Sequence, residues 1–186
     1  MSRHGFPWPL DAKEMAPFWA RLAELGIVLC LEPSSGPTYD RAGYMAHIVA
    51  LGGRILARHR DIRVHLAMSP PVGYFASNGR YEFPEELLAV YRHGPLVLEV
   101  MFPITYGGAW DYPYPEAQSL TESLRDHLGA DRLMWGSDMP NVERFCTYRQ
   151  SLDYVRKYCP FLTAREKDLI LGDNCAAFYG IGKPQV

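Results

Sequence analysis

Short apolar runs alternate along the chain with longer amphipathic stretches. The apolar runs begin near residues 27, 62, 95 and 132 and have the length of buried strands. The stretches between them repeat apolar positions every three or four residues, which is typical of helices packed on a sheet. A strand followed by a helix about every 35 residues requires right-handed crossovers. The pattern therefore predicts an α/β fold whose parallel strands lie in sequential order near 27–32, 62–68, 95–101 and 132–136.

Four such units make half of a (βα)8 TIM barrel, which usually needs about 250 residues. The chain has 186 residues, so we predict a half-barrel over residues 11–181, preceded by an irregular arm over residues 1–10. Residues 1–186 would then form a single α/β domain. A half-barrel exposes two sheet edges and an apolar inner face. We therefore expect oligomerisation, as a homodimer or with a partner subunit, to complete the barrel.

Capping residues and glycines predict where several helices begin and end. Asp11 is a candidate N-cap for a helix that runs to Gly26. A second helix is expected from about Asp40 to His59, with the Gly52-Gly53 pair as its weak point. Thr163 and the glutamate three residues later fit a capping box at the start of a late helix.

Charge and cysteine content narrow the range of partners. Nineteen Lys and Arg residues face 21 Asp and Glu residues, so the composition gives no electrostatic signature for nucleic acid or an anionic membrane. The four cysteines are widely spaced and form no CxxC pair, and no signal peptide or long apolar span is visible. A cytoplasmic protein that acts on a small molecule is the natural expectation.

The last predicted strand delivers a carboxylate to a sharp turn. Leu133, Met134 and Trp135 form the apolar run, Gly136 allows the backbone to turn, and Asp138 precedes a proline that stops strand pairing. Parallel α/β folds keep their chemistry at the carboxyl ends of strands. An isolated aspartate in such a turn is nevertheless more often a cap than a functional group.

Two motifs in the last quarter of the chain resemble the amidohydrolase-related superfamily of hydrolases and decarboxylases. The stretch DRLMWGSDMP at 131–140 is similar to the last-strand signature of that superfamily, and ILGDNCAAFYG at 170–180 is similar to its closing helix. Residues from about 12 to 181 correspond to the carboxyl-terminal half of such a protein. The amino-terminal half has no counterpart here.

The resemblance implies a divalent metal, zinc or another, held at strand ends by carboxylate and imidazole, with Asp138 as ligand or base. Histidines are usual in the superfamily at the ends of the fifth and sixth strands, where this chain has Glu32 and Met68. The histidine pair of the first strand would lie in the half without a counterpart. The metal site is therefore expected to be degenerate or incomplete.

Further candidates for the site have structural alternatives. Glu32 suits a general base or a ligand for a hard cation, or it is a solvated rim residue. Arg144 suits a carboxylate substrate, or a surface salt bridge. Tyr106 and Trp110 belong to an aromatic loop that lines a substrate pocket or simply packs on itself.

Two polar residues lie inside predicted strands. Glu99 interrupts the apolar run of the third strand, where an unpaired carboxylate would be costly, so it needs a partner or a function. His65 is expected to be a packed histidine on the side that faces the helices.

The favoured hypothesis is an amidohydrolase-like, metal-dependent hydrolase that cleaves an amide, ester or lactone. One alternative is a related aromatic-acid decarboxylase. The other is a non-catalytic half-barrel that serves binding or assembly.

Overall fold

The computed structural model describes residues 10–33, 40–67, 70, 73–78, 80–101 and 111–182. Four strands form one parallel sheet in the order β1-β2-β5-β6, and two form an antiparallel hairpin. The strands are β1 Leu29–Leu31, β2 Val64–Leu66, β3 Ala76–Ser77, β4 Arg80–Tyr81, β5 Leu96–Met101 and β6 Leu133–Gly136. The helices are α1 Ala16–Leu25, α2 Arg41–Ala50, α3 Glu85–Tyr91, α4 Pro115–Leu128, α5 Tyr148–Tyr158, α6 Ala164–Asp168 and α7 Asn174–Tyr179. The predicted parallel sheet with strands in sequential order is confirmed.

The chain divides into two compact units, and the division falls inside β5. Unit 1 comprises residues 1–69 and 83–97, and unit 2 comprises residues 70–82 and 98–186. The single-domain prediction and the expected oligomerisation stay predictions. In the described residues, none of the helices combines the length and apolarity needed to cross a membrane.

Unit 1 is built on the parallel pair β1 and β2. Leu29 lies opposite Val64 and Leu31 lies opposite Leu66, and both β2 residues are fully buried. Helix α2 packs against α3, where the hydroxyls of Tyr44 and Tyr91 form a buried hydrogen bond. Val64 and Leu66 bury one side of β2, but the exposed Cys30 shows that β1 is not buried on both sides, whereas its near-continuous apolar run predicts burial on both.

Unit 2 is built on the parallel pair β5 and β6. Trp135 of β6 donates its indole N–H to the carbonyl of Ser151 at 3.0 Å, which fixes α5 on that side of the strand. The side-chain amide of Asn174 in α7 donates to the carbonyls of Ala130 and Leu133, at 2.8 Å each. Leu133 is the first residue of β6, and Ala130 precedes the strand. The last helix is thereby tied to the beginning of the last strand.

Most of the predicted helix ends are confirmed. Gly26 ends α1 in a left-handed conformation, with φ of 62°. The side chain of Asp40 caps α2 by accepting the Gly43 N–H at 2.7 Å. The helix continues through a π-helical segment, Leu51–Leu56, that contains both weak-point glycines. Thr163 and Glu166 form a reciprocal capping box, whose hydrogen bonds lower the pKa of Glu166.

Two local expectations are wrong. Asp11 does not cap the first helix, because its carboxylate pairs with Arg54 and the helix is preceded by a 3-10 turn, Lys13–Met15. A hairpin of two-residue strands, β3 and β4, lies outside the four strand ranges that the sequence pattern predicts. Strands this short carry too few residues for a period of two to be visible.

The π-helical segment generates a test with a matched control. A methyl group at Gly52 would overlap the side chain of Val90, whereas nothing lies within 4 Å of the same position at Gly53. Since valine is stiff about χ1, we expect Gly52→Ala to lower the free energy of unfolding by about 1–3 kcal/mol. Gly53→Ala should instead be neutral or stabilising by up to about 1 kcal/mol. Urea denaturation measures both, and equal effects would contradict the packing.

Candidate active site

Asp138 lies two residues beyond β6, at the carboxyl end of the strand, and is half-buried. Its backbone adopts a left-handed conformation with φ of 49°, which costs a residue with a side chain about 1 kcal/mol, although Asp and Asn tolerate it best. A 3-10 turn, Asn141–Arg144, follows directly. Asp138 is therefore at the strand-end position that the sequence predicts, in a backbone conformation that places it in the turn and not in the strand.

Two hydrogen bonds hold the Asp138 turn together. The side-chain amide of Asn141 donates to Oδ1 of Asp138 at 3.3 Å, and the Val142 N–H donates to its backbone carbonyl at 3.2 Å. One carboxylate oxygen of Asp138 is thus oriented by Asn141. Asn141 was missed in the sequence because a polar residue in a turn is common.

Glu99 of β5 lies against Gly136, the last residue of β6. Trp135 of β6 lies on the side of the strand that faces α5. Because side chains alternate along a strand, Met134 and the open position at Gly136 belong to the opposite side. Glu99 is the partner of Met134 in register and shares that side. A side chain at Gly136 would overlap the carboxylate of Glu99. Glu99 is half-buried and interacts with other parts of the protein. Its carboxylate thus lies near the end of β6 that leads to Asp138.

The remaining predicted site residues belong to different parts of the chain. Glu32 follows the carboxyl end of β1 and is exposed, and it belongs to unit 1, whereas Asp138 belongs to unit 2. Arg144 is exposed at the end of the 3-10 turn. Tyr106 and Trp110 lie outside the described residues. Their site roles stay predictions.

The aromatic residues that follow that loop form an edge-to-face cluster in unit 2. Tyr112 packs on Tyr114 and on Tyr158, with ring centroids 5.4 and 5.3 Å apart, and Tyr114 packs on Tyr154 at 6.2 Å. Loss of hydration and a hydrogen bond with Tyr158 raise the pKa of Tyr112 to about 12. Burial raises the pKa of Tyr114, which is hydrogen-bonded with Cys146. These phenols stay protonated at neutral pH and act as hydrogen-bond donors.

His65 pairs in register with an exposed residue. Its neighbours Val64 and Leu66 are fully buried, whereas His65 is half-buried and lies opposite the exposed Cys30. Partners in register share one side of a sheet, so His65 lies on the same side as Cys30, and its Nε2 atom is buried there. Its packing against the helices stays a prediction.

The amidohydrolase family model, Amidohydro_2, matches residues 1–181. The chain belongs to the amidohydrolase family. The resemblance carried by the last strand and the closing helix is therefore confirmed, and the order of the strands agrees with a partial TIM barrel. No curated protein matches the chain.

Solved structures of similar fold come from hydrolases and decarboxylases. A candidate 2-pyrone-4,6-dicarboxylic acid hydrolase from Pseudomonas putida is 20% identical with a TM-score of 0.69, over 96% of this chain and 60% of that one. A zinc-bound amidohydrolase from Burkholderia multivorans is 18% identical with a TM-score of 0.66, over 93% and 59%. A 2,6-dihydroxybenzoate decarboxylase from Rhizobium is 14% identical with a TM-score of 0.62, over 95% and 58%. At these identities the likeness shows the fold alone, and the chain spans about 60% of their length.

The described residues do not fit the metal site that the family implies. They contain no group of three or more His, Cys, Asp or Glu side chains arranged to hold a metal ion. Asp138 offers carboxylate oxygens, and its hydrogen-bond partner is an amide, which is not an additional anionic ligand.

The contact between Glu99 and Gly136 can be tested by a double-mutant cycle. We expect Gly136→Ala to lower the free energy of unfolding by about 1–3 kcal/mol, because its methyl group displaces the Glu99 carboxylate. Glu99→Ala in the same chain should recover part of this loss. Gly172→Ala is the control, since nothing lies within 4 Å of its added methyl group. Equal destabilisation with and without Glu99, measured by urea unfolding, would show that Gly136 is required for another reason.

Proposed function

We propose that the chain takes part in the hydrolysis of an amide, ester or lactone bond, with Asp138 as the general base. The observation that carries the proposal is the Asp138 carboxylate at the carboxyl end of a parallel strand, oriented by Asn141 in a turn of left-handed conformation. Strained backbone at strand ends is frequent at functional sites. Membership of the amidohydrolase family supports the reaction class.

The proposed step uses one oxygen of the Asp138 carboxylate. It accepts a proton from a water molecule while the water oxygen attacks the carbonyl carbon of the substrate. The bond from that carbon to the leaving nitrogen or oxygen then breaks, and the leaving group takes the proton back from Asp138. Asn141 keeps the carboxylate oriented through both transfers, since its amide donates to the other oxygen.

Roles for the other candidates rest on their chemistry. Arg144 is proposed to bind a carboxylate group on the substrate, since guanidinium pairs with carboxylates through two parallel hydrogen bonds. Glu32, after the carboxyl end of β1, is proposed as a second base. Tyr106 and Trp110 are proposed to contact an apolar or aromatic part of the substrate.

Two other functions are supported by particular observations. Aromatic-acid decarboxylation is supported by the fold shared with a protein named as a 2,6-dihydroxybenzoate decarboxylase. A non-catalytic role in binding or assembly is supported by the missing three-residue metal group within the described ranges. Elemental analysis of the purified protein separates the classes: stoichiometric zinc or manganese supports a metal-dependent enzyme, whereas no metal together with no turnover supports a binding module.

Removing the charge of Asp138 tests its proposed role as general base. Asp138→Asn keeps the side-chain shape and tolerates a φ of 49°, so the melting temperature should change little. Turnover of amide, lactone and aromatic-acid substrates should fall by about 100-fold or more, because the base is lost. Glu143→Gln removes the same charge from an exposed residue of the adjoining turn and should leave turnover unchanged. A large loss of thermal stability with turnover retained would show that Asp138 is a turn cap.

We also propose that a second chain covers the two edge strands of the sheet. Strands β1 and β6 are the outer strands of the described sheet, and outer strands expose unpaired backbone groups. Sedimentation at low micromolar concentration should give a homodimer, or a complex with another subunit. A stable monomer that remains soluble at that concentration would contradict the proposal.

A further inference from the structure

Cys30 and His65 face each other across the parallel pair β1 and β2 in unit 1. The two residues are Cα partners in register, so their side chains project to the same side of the sheet. Neighbouring strands are about 4.8 Å apart, which places a thiol and an imidazole on partner residues within reach of one another. Cys30 is exposed and His65 is half-buried.

The other side of β2 is packed into the core. Val64 and Leu66, which flank His65, are completely buried and anchor β2 in the core. The imidazole is therefore fixed in position by its neighbours, while the thiol beside it remains accessible to small molecules. Two further charged groups flank this side: Arg63, whose guanidinium donates to the Gly26 carbonyl at 2.7 Å, and the exposed Glu32.

We propose that Cys30 and His65 are a nucleophile and base pair that reacts with an electrophilic carbonyl compound, such as an activated ester. His65 takes the thiol proton as Sγ attacks the acyl carbon. A bond from sulfur to that carbon forms, the carbon to oxygen bond of the ester breaks, and the alcohol leaves with the proton from His65. Water then hydrolyses the thioester, which releases the acid and restores the thiol.

The protonation state of the imidazole agrees with this role. Burial lowers the pKa of His65 from its usual value, so the ring is neutral at pH 7 and is able to accept a proton. His65 also has other interactions within the protein. The site lies in unit 1 and does not depend on Asp138 or on the function proposed for it.

Alkylation by iodoacetamide tests the pair, because the chain contains its own comparison thiols. In that reaction a sulfur to carbon bond forms, iodide leaves, and His65 takes the thiol proton. Cys146 and Cys175 are partly exposed and Cys159 is buried, and burial raises the pKa of Cys159 to about 12. Mass spectrometry of the digested protein follows each thiol separately.

We expect Cys30 to be alkylated faster than Cys146 and Cys175 at neutral pH. His65→Gln should slow the alkylation of Cys30 by at least about tenfold, without changing the rates of Cys146 and Cys175. Labelling of Cys159 reports any unfolding of the variant. An unchanged Cys30 rate, or an equal slowing of all partly exposed thiols, would overturn the proposal.

A second measurement does not depend on the folding of the His65 variant. Wild-type protein mixed with p-nitrophenyl acetate should release p-nitrophenolate in an initial stoichiometric burst and carry the acetyl group on Cys30 until the thioester is hydrolysed. Cys30→Ser changes one exposed atom, so it should fold normally and lose this burst. The same burst in Cys30→Ser, or acetylation at another residue, would overturn the assignment.

Discussion

A carboxylate of one parallel strand, Glu99 on β5, lies against the backbone of the next strand at Gly136. The carboxylate fits beside β6 because the strand ends in a residue without a side chain. Any larger residue at that point would have to displace either the carboxylate or the strand. The turn that carries Asp138 begins directly after this contact, so the position of the candidate base depends on the fit between Glu99 and Gly136.

The repeated pattern of apolar runs predicted the sheet because buried parallel strands appear in a sequence as short, nearly continuous apolar runs. All four strands lie within the predicted ranges, although β1 and β2 are shorter than their apolar runs. The capping box at Thr163 was equally readable, since its two residues are three apart and interact locally. Features that depend on neighbours along the chain were therefore predicted well.

Features that depend on distant residues were not predictable in this way. Asp11 pairs with Arg54, 43 residues away, and this pair outcompetes the capping role that its local sequence favours. The surroundings of His65 on β2 became clear only when the register placed it beside Cys30. Orientation of the Asp138 carboxylate likewise depends on the left-handed turn that brings Asn141 within hydrogen-bonding distance.

The two motifs that resemble the family have different roles in the structure. The closing helix contributes Asn174, whose amide binds the carbonyls of Ala130 and Leu133 and so holds the last helix on the last strand. That half of the signature concerns folding, and an enzyme and a binding module would need it equally. The last-strand motif contributes Asp138. A carboxylate at a strand end can act in catalysis only if neighbouring groups orient it. The closing-helix motif therefore serves the fold, whereas the proposed activity depends on what surrounds a single carboxylate. Removing the charge of Asp138 while keeping its turn separates these two contributions.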